Sequence, residues 1–515
     1  MTVNKRKEWY VGVDLGTGSC KSVIIDAGAQ ILGFGAGDYS KNEAPTRWKE
    51  QNPDTLVDAL IRSVRSAVEN ANVSPQACQG ISVGGALHSL IAIDKSRKPL
   101  TGILTWIDAR AVNQATAVRT SADAHRIYWQ TGCPVHSMYP IYKLIWLREK
   151  EPHIFNKTAR FVSAKEYVIE RLTGQLMADF SIASGSGLLN VHDLAWNSES
   201  LQLAGITSEQ LSSVESPWKV IYGINPDLAS AMGIPKDAPL VLGSSDAVNS
   251  SMGAGAVCSE CATCMVGTSG AYRIIANKVI LDPNGRSWCY AIDPKHWLIG
   301  GAINNGGIVL SWFRDSLNKM IGAGTEDKKL SFDEILDLAE NVMPGAEGLI
   351  CLPFLAGERS PNWNMNTRGV FFGLTLDHSL NHMVRALLEG VAFRLRSLAE
   401  VIDEIGCETN EIRVSGGITR SELWLQIIAS ALNLELHVPR WGETSSLGAA
   451  LWTLLGTGVI DDFANINDLI PLGRSYLPVA EDAKQYRKLY LVSKDLYSAL
   501  ERSFDEISEL YPFVS

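Results

Sequence analysis

The chain has 515 residues, of which 46% are hydrophobic and 20% charged, with a formal net charge of −10. That length predicts roughly two to four globular domains with ample core, and the acidic balance argues against a nucleic-acid or anionic-membrane surface. No apolar run approaches the roughly 18 residues that a membrane-crossing helix needs. The N-terminus, MTVNKRKEWYVGVD, is basic but has no apolar stretch before a strand begins, so no leader peptide is expected there. Nine cysteines scattered over the chain do not form a disulfide framework and suit a reducing cytoplasm. Cys258, Cys261 and Cys264 have the spacing C-x2-C-x2-C, but no fourth ligand lies nearby and Cys264 begins an apolar strand, so a metal centre is not expected.

The first predicted element is a strand at Trp9–Val13, followed by Asp14-Leu15-Gly16-Thr17-Gly18-Ser19 and a return strand at Lys21–Asp26. Such a turn can wrap phosphate oxygens with backbone N–H groups and hydroxyls, and its carboxylate can hold Mg²⁺, a hard cation that prefers oxygen. It can equally be a plain β-hairpin with glycine at its turn positions. Leu56, Leu60, Val64 and Val68 form a helical stripe over Asp54–Val68. QGISVGG (79–85) reads as a strand running into Ala86-Leu87-His88-Ser89. Further strands are expected at Leu90–Ile93 and Ile103–Asp108, the latter ending in Trp106-Ile107-Asp108-Ala109-Arg110. Carboxylate, imidazole and an aromatic face at strand ends suit a polyol. A satisfied turn histidine and a core tryptophan are the plainer alternatives.

Residues 131 to 148 read as a proline-containing loop followed by a helix, with His136, Met138 and Lys143 as candidates against a solvated loop and a surface lysine. Residues 161 to 195 give a helix, a Thr-Gly turn and a Ser/Gly-rich segment, in which Asp179 and Ser181 either cap or contact a ligand. PLVLGSSDAVNSSMGAGAV (239–257) is a short buried strand and a tight turn that presents Asp246, followed by small residues that let a ligand approach the backbone. Residues 262 to 275 (ATCMVGTSGAYRII) repeat the design of the first hairpin. Two such hairpins suggest two related halves facing a cleft. Trp297–Ala302 is a strand, and Asn304-Asn305-Gly306-Gly307 opens a helix whose N–H groups fit a nucleotide or sugar. A strand at Gly348–Leu355 precedes Gly357-Glu358-Arg359-Ser360-Pro361, and Asn381–Ile405 is a long buried helix. Glu411–Val414, Ser415-Gly416-Gly417 and Ser421–Leu432 form strand, turn and helix. Glu443-Thr444-Ser445-Ser446 leads into a Gly-Ala-Ala helix.

The order DLGTGS, GGALHS, WIDAR, HSMYP, GSSDA, GTSG, GGAINNGG, GERSP with Arg368-Gly369, SGGITRSELWLQ and ETSSLGAA resembles, over nearly the whole chain, the FGGY carbohydrate kinases of the sugar kinase, heat-shock chaperone and actin superfamily. HSMYPIYKLIWLREKEPHIFNK, SAKEYVIERLTG, DFSIASGSGLLN and GGAINNGGIVLSWFRD look most like its gluconate kinases.

The resemblance implies an α/β fold of two actin-like, ribonuclease-H-like domains, 1–248 on the sugar and phosphate side and 249–515 on the nucleotide side. It implies Asp246 as catalytic base and Asp14 as the Mg²⁺-side carboxylate. Thr17, Gly18, Ser19, Lys21, Gly267 and Thr268 fall near the phosphates, and Gly307, Gly417 and Ser421 along the nucleotide. Leu87, His88, Asp108, Met138 and Asp246 fall around the sugar. Gly18 stands where the family has a second threonine, and WIDAR replaces the frequent WADNR, so Ala109 lacks one polar contact. The implied reaction is phosphoryl transfer from MgATP to gluconate in the cytoplasm, with a pentulose or another polyol as alternative acceptor and a non-metabolic ATPase switch as a reading from another class. A linear sugar acid needs a cationic or N–H-rich end to its pocket, with Arg110, Lys143 and backbone all eligible. Neither a nucleic-acid nor a membrane partner is implied, and homodimer formation stays open.

Overall fold

The computed structural model describes residues 8–39, 50–121, 123–321 and 329–511, so residues 1–7 of the basic N-terminus lie outside the described residues. The chain divides into two compact units. The first comprises residues 1–258, 275–299 and 443–470, and the second comprises 259–274, 300–442 and 471–515.

The first unit is built on a six-stranded sheet in the order Val220–Ile221, Leu240–Val241, Cys78–Gly85, Trp9–Leu15, Ser19–Ile25, Ile31–Asp38. The first three chain segments of the sheet meander antiparallel, while Cys78–Gly85 runs parallel to both Trp9–Leu15 and Leu240–Val241. A parallel strand is covered on both faces, which explains why WYVGVDL and CQGISVGG are almost wholly buried. The expected stripe forms the helix Pro53–Ala71, capped by the Asn52 side chain on Asp54 N, and Leu56, Leu60, Val64 and Val68 are all buried. The helix Thr444–Gly456 returns to this unit. Its Thr453 hydroxyl donates to Val11 O and its Trp452 indole donates to Asn249 Oδ1 at 2.8 Å.

In the second unit the strands run Gly270–Ala276, Cys261–Val266, Glu411–Ser415, Glu435–Pro439, Leu472–Tyr476 as part of a seven-stranded sheet. Cys261–Val266, Glu411–Ser415 and Glu435–Pro439 are mutually parallel. The long helix Leu380–Glu404 buries Val384, Leu388, Val391, Leu395, Leu398 and Ile402, as its period requires. One expected strand is absent: Ile103 and Leu104 make only isolated bridges, to Gln51 and Leu90, and the chain then turns. Trp106, Asp108 and Arg110 take up the turn, where side chains find partners in several directions. Among the described residues no helix is long and apolar enough to cross a membrane.

Candidate active site

The loop after Leu240–Val241 delivers Asp246 to the first turn of the helix Asp246–Gly253. Ser245 caps that helix, its hydroxyl accepting from Val248 N, and Asp246 Oδ1 accepts from Ala247 N at 2.8 Å. The loop is gripped from behind. Ser244 O accepts from Gly85 N and from Asn249 Nδ2, both at 3.3 Å. Ser244 Oγ donates to Asp179 Oδ1 at 3.3 Å, and the Ser181 and Ser245 hydroxyls lie 2.6 Å apart. Asp179 is therefore a structural cap: it also accepts from Ser181 N and Ile182 N at the start of the helix Phe180–Ser184 and pairs with Lys165 Nζ at 2.6 Å.

The first hairpin lies in the same unit. Asp14 stands opposite Lys21 in the register, and its Oδ1 is buried with no hydrogen-bond partner. Burial first, and then the Asp246 charge with a smaller push from Glu443, raise the Asp14 pKa from 3.8 to about 7 against the pull of Lys21. The two carboxylates thus sense each other, and their repulsion outweighs the nearby Lys21 charge. Lys21 Nζ reaches both oxygens of Glu443 at 3.0 Å, a partly exposed pair of little energetic weight. Thr17 is fixed on two sides: its carbonyl accepts from Gln51 Nε2 and its hydroxyl from Trp106 Nε1 at 3.1 Å, while Tyr39 OH donates to Gly16 O. Trp106 therefore serves the turn through its indole N–H. Gly18 and Ser19 complete the turn.

Leu87 and His88 sit on a second wall of this unit. His88 has φ +66°, a left-handed conformation that costs energy outside glycine, and is held there by several contacts. Its Nδ1 is 2.6 Å from Gly185 O, and its ring meets Tyr139 and Tyr290 edge-on, at 4.9 and 5.9 Å between centroids. Those two phenols are joined at 2.8 Å. Lys143 is wholly buried, contrary to a surface reading, and donates to His88 O at 3.0 Å and Thr105 O at 2.6 Å. Burial lowers its pKa to about 7, opposed by Asp108 and assisted by Arg110. Asp108 is paired with Arg110, whose Nε reaches both carboxylate oxygens at 2.9 Å, and Arg110 also pairs with Glu50 at 2.7 Å. Met138 is buried, with its N–H donating to His136 Nδ1, so this loop is not solvated.

In the second unit Gly267, Thr268, Gly307, Gly417 and Ser421 line one cavity of about 320 Å³. The turn and the start of the helix Ile308–Ile321 are hydrogen-bonded: Gly307 N donates to Gly267 O at 2.7 Å and Ile308 N to Thr268 O at 3.1 Å. A Cβ on Gly307 would lie 2.7 Å from Gly267 O, and one on Gly306 would lie 2.6 Å from Ser269 backbone, so only glycine lets the segments meet. Apolar walls come from Leu310, Phe332 and Ile418, with Trp424 below. Ser421 caps the helix Glu422–Leu432. The turn 304–307 is anchored by Glu358, which accepts from Asn304 N at 2.7 Å and Arg359 N at 2.9 Å and faces Arg394 at 3.6 Å. Burial raises the Glu358 pKa, with Arg394 opposing.

Sequence reading missed Glu358 as an anchor, although GERSP was noticed, and it missed Gly185, Tyr290 and Glu50, which carry no local signal. Cys258 is exposed while Cys261 and Cys264 are buried strand residues, and among the described residues no group of three or more His, Cys, Asp or Glu side chains could hold a metal.

Residues 9–253 match the N-terminal domain and residues 262–456 the C-terminal domain of the FGGY family of carbohydrate kinases. A gluconokinase of Bacillus licheniformis is 37% identical over 508 residues, 97% of this chain and 98% of its own. Two solved structures from Lactobacillus acidophilus, one described as a gluconate kinase and one as a ligand-bound xylulose kinase, each match with a TM-score of 0.91 at 32% identity, covering 97% of this chain and 100% of theirs.

Proposed function

The chain belongs to the FGGY family of carbohydrate kinases, and from that premise we propose that it transfers the γ-phosphoryl group of ATP to D-gluconate, giving 6-phospho-D-gluconate. The observation that carries the acceptor is the 37% identity with a gluconokinase over nearly the full length of both chains. A xylulose kinase of Bacillus subtilis stands at 26%. The geometry supports the chemistry. Asp246 acts as general base, taking the proton from the acceptor hydroxyl as that oxygen attacks phosphorus. Leu87, His88, Asp108 and Met138 shape the sugar side. Asp108 does so in partnership with Arg110, whose charge is already shared between Asp108 and Glu50.

On the nucleotide side, Gly267 and Thr268 meet the phosphates, and Gly307, Gly417 and Ser421 meet the nucleoside. Thr17, Gly18, Ser19 and Lys21 approach the phosphates from the first hairpin. The buried, unpartnered Oδ1 of Asp14 fits a cation, which Asp14 would hold together with phosphate oxygens, since magnesium rarely takes an all-protein cage. Bound there, Mg²⁺ would neutralise charge on the phosphates.

The test is ADP release with MgATP and a panel of gluconate, xylulose, ribulose, glycerol and fuculose. Release with gluconate alone is expected. Release with a ketose instead would support the second reading, which the ligand-bound xylulose kinase of equal structural likeness favours. Equal release without any sugar would overturn the sugar kinase assignment in favour of an ATPase switch.

A further inference from the structure

Behind the Asp246 loop lies a polar network that neither the nucleotide nor the sugar assignments use. Lys165, Asp179, Ser181, Ser244 and Ser245 are each 1% exposed or less. Four groups converge on Asp179. Lys165 Nζ reaches Oδ2 at 2.6 Å, while Ser181 N, Ile182 N and Ser244 Oγ reach Oδ1 at 3.0, 3.2 and 3.3 Å, and the Lys165 stem passes under Gly85, whose Cβ position is 2.8 Å from Lys165 Cβ. From Asp179 the chain of contacts runs through Ser181 to Ser245 at 2.6 Å, and Ser245 caps the helix that carries Asp246 in its first turn. Buried ion pairs contribute little net stability against apolar replacements, so what matters here is the line of contacts that leads from this pair to Ser245.

We infer that Lys165, Asp179 and Ser181 are positioning residues that hold the Ser244–Asp246 turn at the angle proton abstraction requires. The inference rests on Asp246 being the base. A carboxylate at a helix start can swing with its cap, and a displacement of about 1 Å at a reacting group can cost on the order of 100-fold in rate. Ser181 is the point of least redundancy: it alone among these residues contacts the cap hydroxyl of Ser245.

The experiment compares Ser181→Ala, Ser181→Thr and Asp246→Asn by steady-state kinetics and thermal unfolding. Ser181→Ala is expected to lower kcat about tenfold, with KM for ATP and gluconate within about twofold of wild type. Ser181→Thr, which keeps the hydroxyl, is expected to recover most of that loss. The inference is overturned if Ser181→Ala has wild-type kcat, or if its unfolding temperature and both KM values move with kcat, which is the pattern of a merely structural contact. Wild-type turnover in Asp246→Asn would instead overturn the base assignment. Asp179→Asn leaves Lys165 buried without its counter-charge and serves only as a folding control.

Discussion

The two glycine-threonine hairpins share one design and differ in what surrounds them. Aligned by their turns, Asp14-Leu15-Gly16-Thr17 matches Met265-Val266-Gly267-Thr268, and each turn closes between antiparallel strands. The first carries a carboxylate where the second carries a thioether. Around the first stand Asp246, Lys21 and Glu443, charged groups that act on the proton affinity of Asp14. Around the second stand glycines and apolar side chains, with the N–H groups of Gly267, Gly307 and Ile308 bonded to carbonyls of the turn itself. Such a turn can receive phosphate through whatever N–H groups and hydroxyls it leaves free. What differs is whether it also handles a cation and a proton. The first hairpin is thus read as the chemical one and the second as the holding one.

The sharpest break of this contrast is Asp246→Asn. It removes the proposed base and leaves the second hairpin untouched, so kcat should fall by about 10²–10⁴-fold while nucleotide affinity, read by calorimetry, stays at the wild-type value. A matching loss of nucleotide affinity would mean that the two turns do not divide the work.

Glu358→Ala tests the opposite side. The variant removes the buried carboxylate that faces Arg394 and accepts from Asn304 N, leaving Arg394 with Ser360 O and Asn362 Oδ1 as acceptors, at a cost of roughly 3–5 kcal/mol in a denaturant titration. Because Asn304 begins the turn whose Gly307 is bonded to Gly267, KM for ATP should rise while KM for the acceptor holds. Lost stability with an unchanged KM would show that the anchor does not reach the turn.

Much of this was legible in the chain. GTGS and GTSG stand out because glycine and hydroxyl residues interrupt continuous apolar runs, and the helices at 53–71 and 380–404 follow from their stripes. The loop holding Asp246 was visible as a strand ending in GSSD. The partners that fix these turns were not. Asp179 reaches Ser244 across 65 positions, Glu358 reaches Asn304 across 54, and Tyr290 meets Tyr139 across 151. Nothing local in a sequence marks such pairs. The return of residues 443–470 to the first unit is equally silent, because a helix that packs on a distant sheet reads like any other buried helix. Lys143 was read against a surface alternative because lysine is rarely buried, and its two carbonyl acceptors lie on other segments.

Asp14 gives the contrast a pH signature. Its folded pKa of about 7 lies above the ordinary 3.8, so between those values the folded chain binds more protons than the unfolded one. Stability should therefore fall as pH rises through that window, with the full penalty above pH 7 and none below pH 4. Asp14→Asn should be more stable than wild type at pH 8, by on the order of 4 kcal/mol at most, and equal to it at pH 4. In Asp246→Asn the gap should shrink, because one of the charges raising the Asp14 pKa is gone. A flat difference between pH 4 and 8 would remove the charge argument from the first hairpin.

The smallest effect comes from making the first turn more like the second. Thr268 is followed by Ser269, whereas Thr17 is followed by Gly18, and a side chain at Gly18 would meet nothing within 4 Å. Gly18→Thr should fold as the wild type does, with stability changed by less than about 1 kcal/mol, because the substitution mainly restricts the unfolded chain. If phosphate oxygens approach the first turn, the added hydroxyl gains a charged acceptor and KM for ATP drops several-fold, since hydrogen bonds to charged groups are worth roughly 1.5–3 kcal/mol before the entropy of fixing the side chain is subtracted. An unchanged KM would place the phosphates out of reach of position 18. The first hairpin would then act through Asp14 and its charge, with its glycine-rich turn as scaffold.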